Sequence, residues 1–138
     1  MRILARAGIN IHVELDRRAL NWFQREAPQK LETAKKRVVE ASGMVWADRA
    51  KSITREENHI DTGLYINSIG YSTGGSPSGK PINEIQNEGN QTVLKIGADV
   101  AYAIYLEKSY AIFARALDTS QERMQNVAAT QVINTLGL

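Results

Sequence analysis

The longest regular pattern in the sequence runs from residue 28 to about residue 54. Apolar residues recur there at three- and four-residue steps, and the pattern begins at Pro28, which loses no intrahelical hydrogen bond in a first turn. The apolar positions are Leu31, Ala34, Val38, Val39, Ala41, Val45, Trp46 and Ile53. This side is too broad for the seam of a coiled coil. The pattern therefore predicts one long helix packed against another layer of the same domain.

Charged side chains are predicted on the opposite side of this helix. They are Lys36, Arg37, Glu40, Asp48 and Lys51. Arg49 differs, because a rotation of about 100° per residue places it near the middle of the apolar side. One interpretation is that its side chain covers apolar surface or pairs with a carboxylate where the helix passes the sheet. The other is that it anchors a neighbouring subunit. The first interpretation is favoured because long basic side chains often cover apolar surface.

Shorter patterns predict the other elements. Apolar residues alternate with polar ones from residue 9 to residue 15, as in a half-buried strand, and Asp16 is a suitable N-cap for a short helix over residues 17–26. Further strands are predicted at residues 68–73 and 92–97. A second amphipathic helix is predicted at residues 112–136. Its apolar side carries Phe113, Leu117, Met124, Val127 and Ala128.

Residues 74–91 are predicted to form a long mobile loop. Their glycine, proline, serine and asparagine content offers too little apolar surface for ordering, and loops of this length are usually functional or disordered. We expect the loop to join two antiparallel strands and to become ordered against partners. Its candidate contact residues are Ser76, Pro77, Lys80 and Pro81. Residues 1–8 are also expected to be flexible.

The order of strand, helices, strands and helix predicts a single α+β domain. An antiparallel sheet of about four strands would carry the long helix and the C-terminal helix on one face. The 138 residues can bury a core without disulfides, which the absence of cysteine excludes. There is no apolar run of the roughly 20 residues needed to span a membrane, and no secretory signal at the N-terminus. We therefore expect synthesis in the cytosol.

The charge distribution leaves a nucleic-acid-binding module open as an alternative. Residues 1–60 carry 12 basic and 8 acidic side chains, whereas residues 61–138 carry 5 and 7. Such a module would use Lys30, Lys35, Lys36 and Arg37. Solvated helix faces explain the same asymmetry more simply, because a nucleic-acid-binding domain usually has a stronger basic stripe.

The sequence gives little support for catalysis. His12 and His59 are the only histidines, and no metal-ligand spacing, nucleophile elbow or phosphate-binding loop is present. Asp61-Thr62-Gly63 matches the catalytic triplet of aspartic proteases, but it follows a long helix rather than lying among apolar strands. The favoured interpretation is structural: Asp61 or Thr62 caps a short helix and Gly63 permits a sharp turn. No metal or cofactor is expected.

Two motifs resemble a known family. The long helix ends before Asp61-Thr62-Gly63-Leu64, with Ser68-Ile69 following, and Ile96-Gly97 precedes the segment Ala101-Tyr102-Ala103-Ile104-Tyr105-Leu106-Glu107. The approach to the last helix carries Arg115. This arrangement resembles the tail-completion proteins of long-tailed bacteriophages, also called head–tail joining, neck or minor tail components. The chain departs from that family at residues 58–60 and 108–113.

The resemblance implies a structural role without catalysis or cofactor. Such proteins assemble as a ring in the virion, at the head–tail junction, after synthesis in the bacterial cytoplasm. Their partners would be connector or portal-complex proteins on one side and the tail tube or terminator protein on the other. Neither a membrane nor a specific nucleic acid is implied. Arg49 and Arg115 join the loop residues as candidate partner contacts.

Overall fold

The computed structural model of the protein describes residues 6–13, 17–57, 64–71, 80–88 and 91–137. The strands are β1 (Arg6–Val13), β2 (Lys80–Glu88) and β3 (Gln91–Asp99). The helices are α1 (Arg17–Glu26), α2 (Pro28–Glu56), α3 (Ala101–Tyr110) and α4 (Ile112–Leu136). A short 3₁₀ helix covers Ile66–Ser68. The fold is α+β, with its long helices on one face of an antiparallel sheet.

The sheet is built around β3. The strand order is β1-β3-β2, both pairings are antiparallel, and Leu94 of β3 lies opposite Ile11 of β1 and Ile85 of β2. Alternate side chains of β3 point towards the helices, so Leu94, Ile96 and Ala98 are buried in the main core. These three apolar side chains at every second position show which side of the sheet the helices cover, although Thr92 and Val93 of the same strand are also buried.

The two long helices form the second layer. Helix α4 runs antiparallel along α2, and the indole Nε1–H of Trp46 donates to the carbonyl oxygen of Phe113 at 3.1 Å. The rings of Trp46 and Phe113 meet edge to face with centroids 5.0 Å apart. Both side chains are almost completely buried, and burying one such side chain stabilises the fold by about 3 kcal/mol or less. Gly43 lets α2 approach the sheet closely, because a Cβ there would lie 2.5 Å from Cδ2 of Leu94.

A smaller core attaches α1 to one end of this layer. Phe23 of α1 packs with Leu31 and Ala34 at the start of α2 and with Leu136 at the end of α4. These apolar contacts explain why the short helix predicted at residues 17–26 is present with those bounds. The predicted Asp16 cap lies outside the described residues.

The prediction of about four strands differs from the structure at residues 68–71, which form no strand, and at residues 80–88, which form a strand that was not predicted. Residues 68–71 end the 3₁₀ helix and continue as a bend rather than as a strand, with Ile69 completely buried. Within the described part of the chain the sheet has three strands. A single buried isoleucine followed by Gly70 at φ 68° fits a sharp turn better than an extended ladder.

The predicted loop at residues 74–91 was also wrong over half of its length, because residues 80–88 form β2. Ile82 is buried and Ile85 packs against the main core, while the polar side chains between them are exposed. An edge strand tolerates this composition, including Pro81, because only one of its sides pairs within the sheet. Of the residues 1–8 that were expected to be flexible, residues 6–8 belong to β1, and residues 1–5 lie outside the described residues.

The long helix has a broader buried surface than predicted. Lys51, which was assigned to the polar side, is only 4% exposed, and Lys35 is equally buried. Helix α2 packs against α4 on one side and against the sheet and residues 64–71 on another, so positions beyond the apolar stripe are covered. None of the helices in the described ranges is long and apolar enough to cross a bilayer.

Candidate functional site

Helix α3 divides its residues between the core and an exposed aromatic surface. Ala103 and Leu106 are buried in the main core, whereas Tyr102 and Tyr105 are 43% and 58% exposed. The two tyrosine rings stack on each other with centroids 5.7 Å apart. Tyr110, at the end of the helix, is also 43% exposed. We call Tyr102, Tyr105 and Tyr110 the tyrosine surface.

The carboxylate of Glu107 fixes the turn that follows this surface. It accepts hydrogen bonds from the backbone N–H groups of Phe113 at 2.8 Å and of Ala114 at 3.2 Å. These amides belong to the first turn of α4, which has no other side-chain cap, so Glu107 satisfies otherwise unpaired donors where negative charge is favourable. Ala111 makes the turn itself with φ 50°. Glu107 thus holds α3 against the start of α4.

Arg115 connects three helices at the same end of the molecule. Its two terminal nitrogens donate to the carboxylate oxygens of Glu57 at 2.5 and 2.6 Å, and its Nε donates to the carbonyl oxygen of Tyr110 at 2.9 Å. The hydrogen bonds to Glu57 raise the pKa of Arg115, and the guanidinium stays charged. A planar guanidinium suits this two-pronged contact. The candidate partner contact Arg115 is therefore engaged inside the chain.

An aromatic stack lies beneath the turn. The ring of Tyr65 is nearly parallel to that of Phe113, with centroids 5.7 Å apart. The Tyr65 hydroxyl is buried and has no hydrogen-bond partner within the described structure. Burial, followed by the nearby Glu107 carboxylate, raises the pKa of Tyr65 far above its usual range. The phenol is consequently neutral and acts as packing rather than as an acid or base.

Lys51 forms a separate polar cluster with Tyr71 and Asp48. The Lys51 Nζ donates to the carbonyl oxygen of Tyr71 at 3.0 Å and lies 3.5 Å from the centroid of the Tyr71 ring. The Tyr71 hydroxyl donates to Asp48 at 2.5 Å. Burial lowers the pKa of Lys51 to about 8, and the hydrogen bond to Asp48 raises the pKa of Tyr71 to about 12. The cluster attaches residues 64–71 to α2.

The first sequence motif is only partly within the described residues. Asp61, Thr62 and Gly63 lie outside them, so neither the cap nor the protease interpretation of that triplet has a described geometry. Of the later residues, Leu64 packs against the core, and its carbonyl accepts a 2.6 Å hydrogen bond from the hydroxyl of Ser68. Ile69 is completely buried. These three positions build the turn between α2 and the sheet.

The remaining candidate contacts are scattered. Arg49 lies between the long helices, where its Nε donates to Thr119 at 3.0 Å and its guanidinium lies 3.8 Å from Glu56. Lys80 and Pro81 begin the edge strand β2. Ser76 and Pro77 lie outside the described residues. Among the described residues, the predicted contacts therefore lie on three different elements, α2, β2 and α4.

The alternative basic surface is similarly incomplete. Lys30, Lys36 and Arg37 are exposed on the first half of α2. Lys35 is buried, and its ammonium lies 3.8 Å from the carboxylate of Glu32. The four residues proposed for nucleic acid therefore do not form one exposed stripe, although three of them share the solvent-facing surface.

Sequence reasoning missed the roles of Tyr110 and Lys51. Tyr110 belongs to a segment without an amphipathic period, so its exposure had no sequence signal. Lys51 falls three residues from Asp48 on α2, a spacing that brings two side chains to the same side of a helix. That pair was a signal, but only the packing of Tyr71 shows that the side is covered.

Two further findings concern metal binding and similarity to known proteins. In the described ranges, no group of three or more His, Cys, Asp and Glu side chains is arranged to hold a metal ion. Comparisons of the chain with protein-family models, with curated proteins and with solved structures found no match.

Proposed function

We propose that the protein is a structural component of a bacteriophage or prophage head–tail junction, where it joins connector to tail tube through protein–protein contacts. The observation that carries the proposal is the tyrosine surface of α3. Two of its three residues, Tyr102 and Tyr105, belong to the same segment, residues 101–107, on which the sequence resemblance to tail-completion proteins rests.

The residues of that segment serve two different purposes. Ala103, Leu106 and Glu107 serve the fold, through the core and the α4 cap. Tyr102 and Tyr105 point outwards, where their burial contributes little to the stability of the isolated chain. Tyrosine is enriched in protein interfaces, particularly among residues whose truncation weakens binding most. A role in partner contact accounts for these two exposed rings.

The surface is also rigid enough to bind without a large ordering cost. The ring stacking limits the rotamers of Tyr102 and Tyr105, and Glu107 and Arg115 fix the end of α3 to α4 and α2. Binding by a pre-organised surface loses less side-chain and backbone entropy than binding by a mobile one. In a ring, the same contact would recur in each subunit, and the repeated contacts would reinforce one another.

The proposal assigns three kinds of partner. Copies of the chain would form the ring, connector or portal-complex proteins would lie on its head side, and the tail tube or terminator protein would lie on its tail side. The protein would be located in the virion and would need neither a cofactor nor a catalytic residue for this role.

The test is complementation of a phage or prophage genome from which the gene has been deleted. Wild-type protein should restore joined particles in negative-stain micrographs, while Tyr102→Ser/Tyr105→Ser should leave separate heads and tails. Ile133→Ser is the matched control, because Ile133 is 49% exposed at the far end of α4. Circular dichroism melting should show that both variants are folded.

Two outcomes would contradict different parts of the proposal. Joined particles with the double tyrosine variant would remove the tyrosine surface from the mechanism. Joined particles in the absence of any copy of the gene would remove the head–tail role itself.

A further inference from the structure

The helix layer extends beyond one edge of the sheet. Helix α2 lies over β3 and β1, and α4 packs along α2 and meets the sheet mainly at β1. Neighbouring helices lie about 8–10 Å apart, whereas neighbouring strands lie about 4.8 Å apart. With α2 above the boundary of β3 and β1, the axis of α4 lies roughly one strand position outside β1. A strand-sized position is therefore left beneath α4.

A groove of about 540 Å³ occupies this position. Ile11 of β1 forms one wall, and Leu117, Met124 and Ala128 of α4 provide apolar surface opposite it. Gln121 and Gln125 line the groove with side-chain amides. The lining in the described structure includes no Lys, Arg, Asp or Glu. An occupant that brought a charge into this groove would meet no opposite charge to compensate its loss of water.

An added strand also needs a sheet edge with unpaired backbone N–H and C=O groups, and β1 supplies that edge. In an antiparallel pair, every second residue directs its N–H and C=O groups away from the neighbouring strand. Within the described residues β1 pairs with β3 alone. Helix α3 also contacts β1, and the part of the strand that lines the groove is Asn10, Ile11 and His12, so the outward-directed groups of that part face the groove. The other edge strand, β2, carries Pro81, Glu84 and Glu88, which are typical protections against strand addition. The described part of β1 from Gly8 to His12 has no proline and no Lys, Arg, Asp or Glu.

We propose that this groove binds an extended, uncharged segment of a partner protein, which adds to β1 as a fourth strand beneath α4. Main-chain hydrogen bonds to β1 provide affinity, as in other cases of strand addition. Every second side chain of the segment points towards α4 and must be apolar to pack on Leu117, Met124 and Ala128. The intervening side chains point to the other face of the sheet and are polar and neutral.

A second copy of the chain fits this groove poorly. If β1 of one copy paired with β1 of another around a two-fold axis, each α4 would lie over the partner's β1. The two α4 axes would then be about one strand spacing apart, which is less than the roughly 8 Å that packed helices need. A single extended segment without its own helix layer avoids this clash. A charged tail is disfavoured because its charges would lose water in the groove without meeting an opposite charge. An apolar segment loses no such hydration.

The probe is a surface-displayed library of random twelve-residue peptides, selected on the immobilised full-length protein. Enriched peptides should be uncharged, with apolar residues at alternate positions. Ala128→Arg, which places a charge in the groove, should weaken their binding at least tenfold, as should Gln125→Arg at the exposed rim. Ala129→Arg, one position along α4 and outside the groove lining, should leave binding unchanged. Backbone N-methylation at alternate peptide residues should abolish binding.

The outcomes separate the rival occupants. A library that yields no binder sensitive to Ala128→Arg and Gln125→Arg overturns the proposal, and so do enriched peptides with helical spacing. Light scattering that shows a wild-type dimer abolished by Ala128→Arg would identify a second copy as the occupant and would overturn it as well. Melting curves show whether Ala128→Arg or Gln125→Arg is unfolded. If one of them is, the peptide binding of the other tests the proposal. Since no virion is involved, these results are independent of the head–tail role.

Discussion

Replacing Lys51 by methionine should change how the stability of the protein depends on pH. Lys51 is 4% exposed, and burial lowers the pKa of its ammonium from 10.5 to about 8, with Asp48 partly opposing the shift and Arg55 adding to it. Between these two values the unfolded chain binds more protons at Lys51 than the folded chain does. The free energy of unfolding must therefore rise with pH across that interval.

The magnitude follows from the same two pKa values. At about 1.4 kcal/mol per pH unit, keeping Lys51 charged in the folded state costs about 3 kcal/mol at neutral pH. Integrated over the titration, about 2 kcal/mol of this cost is relieved between pH 8 and pH 10. Above pH 10 a second group acts in the opposite direction, because the pKa of Tyr71 is raised to about 12 and the unfolded phenol ionises first. The effect of Lys51 is therefore best measured from pH 8 to pH 10.

Urea unfolding of the wild type and of Lys51→Met at pH 7, 8, 9 and 10 measures it. The stability of the wild type relative to the variant should rise by about 2 kcal/mol from pH 8 to pH 10. Lys36→Met is the control, because Lys36 lies on the same helix with its side chain 63% exposed, and its difference curve should be flat. A flat or falling difference curve for Lys51→Met would refute the assignment of a destabilising buried ammonium.

Two further substitutions test the packing around the site. Glu107→Ala should lower the free energy of unfolding by about 1–2 kcal/mol, because two amides of α4 lose their acceptor, and Glu107→Gln should lose less. Equal urea midpoints for Glu107→Ala and the wild type would contradict the cap. Gly43→Ala should destabilise by up to about 2 kcal/mol despite the better helix propensity of alanine, because its Cβ would meet the buried Leu94 at 2.5 Å. A gain of about 1 kcal/mol in the same assay would show that Leu94 moves freely.

The sequence predicted elements well where one periodic pattern governed packing. The short helix at residues 17–26 and the C-terminal helix at residues 112–136 have the predicted bounds, and the long helix continues two residues past its predicted end. Each has apolar residues repeated at helical spacing over several turns. Such a pattern states both the type of the element and the side on which it is buried.

Elements whose stability depends on neighbours were harder to predict. Strand β2 is mostly polar because it lies at a sheet edge, and its pairing with β3 orders a segment that composition assigns to a loop. Helix α3 has no clear amphipathic period, because its three exposed tyrosines interrupt the pattern that Ala103 and Leu106 would otherwise show. In both cases the deciding contacts come from residues distant in the sequence, which local propensity does not include.

The candidate site was predictable as a segment but not as a surface. Residues 101–107 were singled out by resemblance, while the division between outward and inward side chains required the structure. Arg49 and Arg115 show the converse difficulty. Both were candidate partner contacts, although an internal role was favoured for Arg49, and their acceptors Thr119 and Glu57 lie 70 and 58 residues away in the same chain. The position of an arginine in the sequence therefore does not show whether its acceptor lies in the same chain or in a partner.

The two parts of α3 give the head–tail proposal its clearest mutational signature. Tyr102 and Tyr105 lie outside the core, so their replacement should affect assembly while leaving the melting temperature nearly unchanged. Glu107 acts through the cap of α4, so its loss should reduce stability first and affect assembly only through the orientation of α3. If the Glu107 variant and the tyrosine variant each reduced joining only as far as each reduced stability, Tyr102 and Tyr105 would contribute to the fold and not to partner binding. A block by the tyrosine variant at full stability is the result that only a partner-binding surface explains.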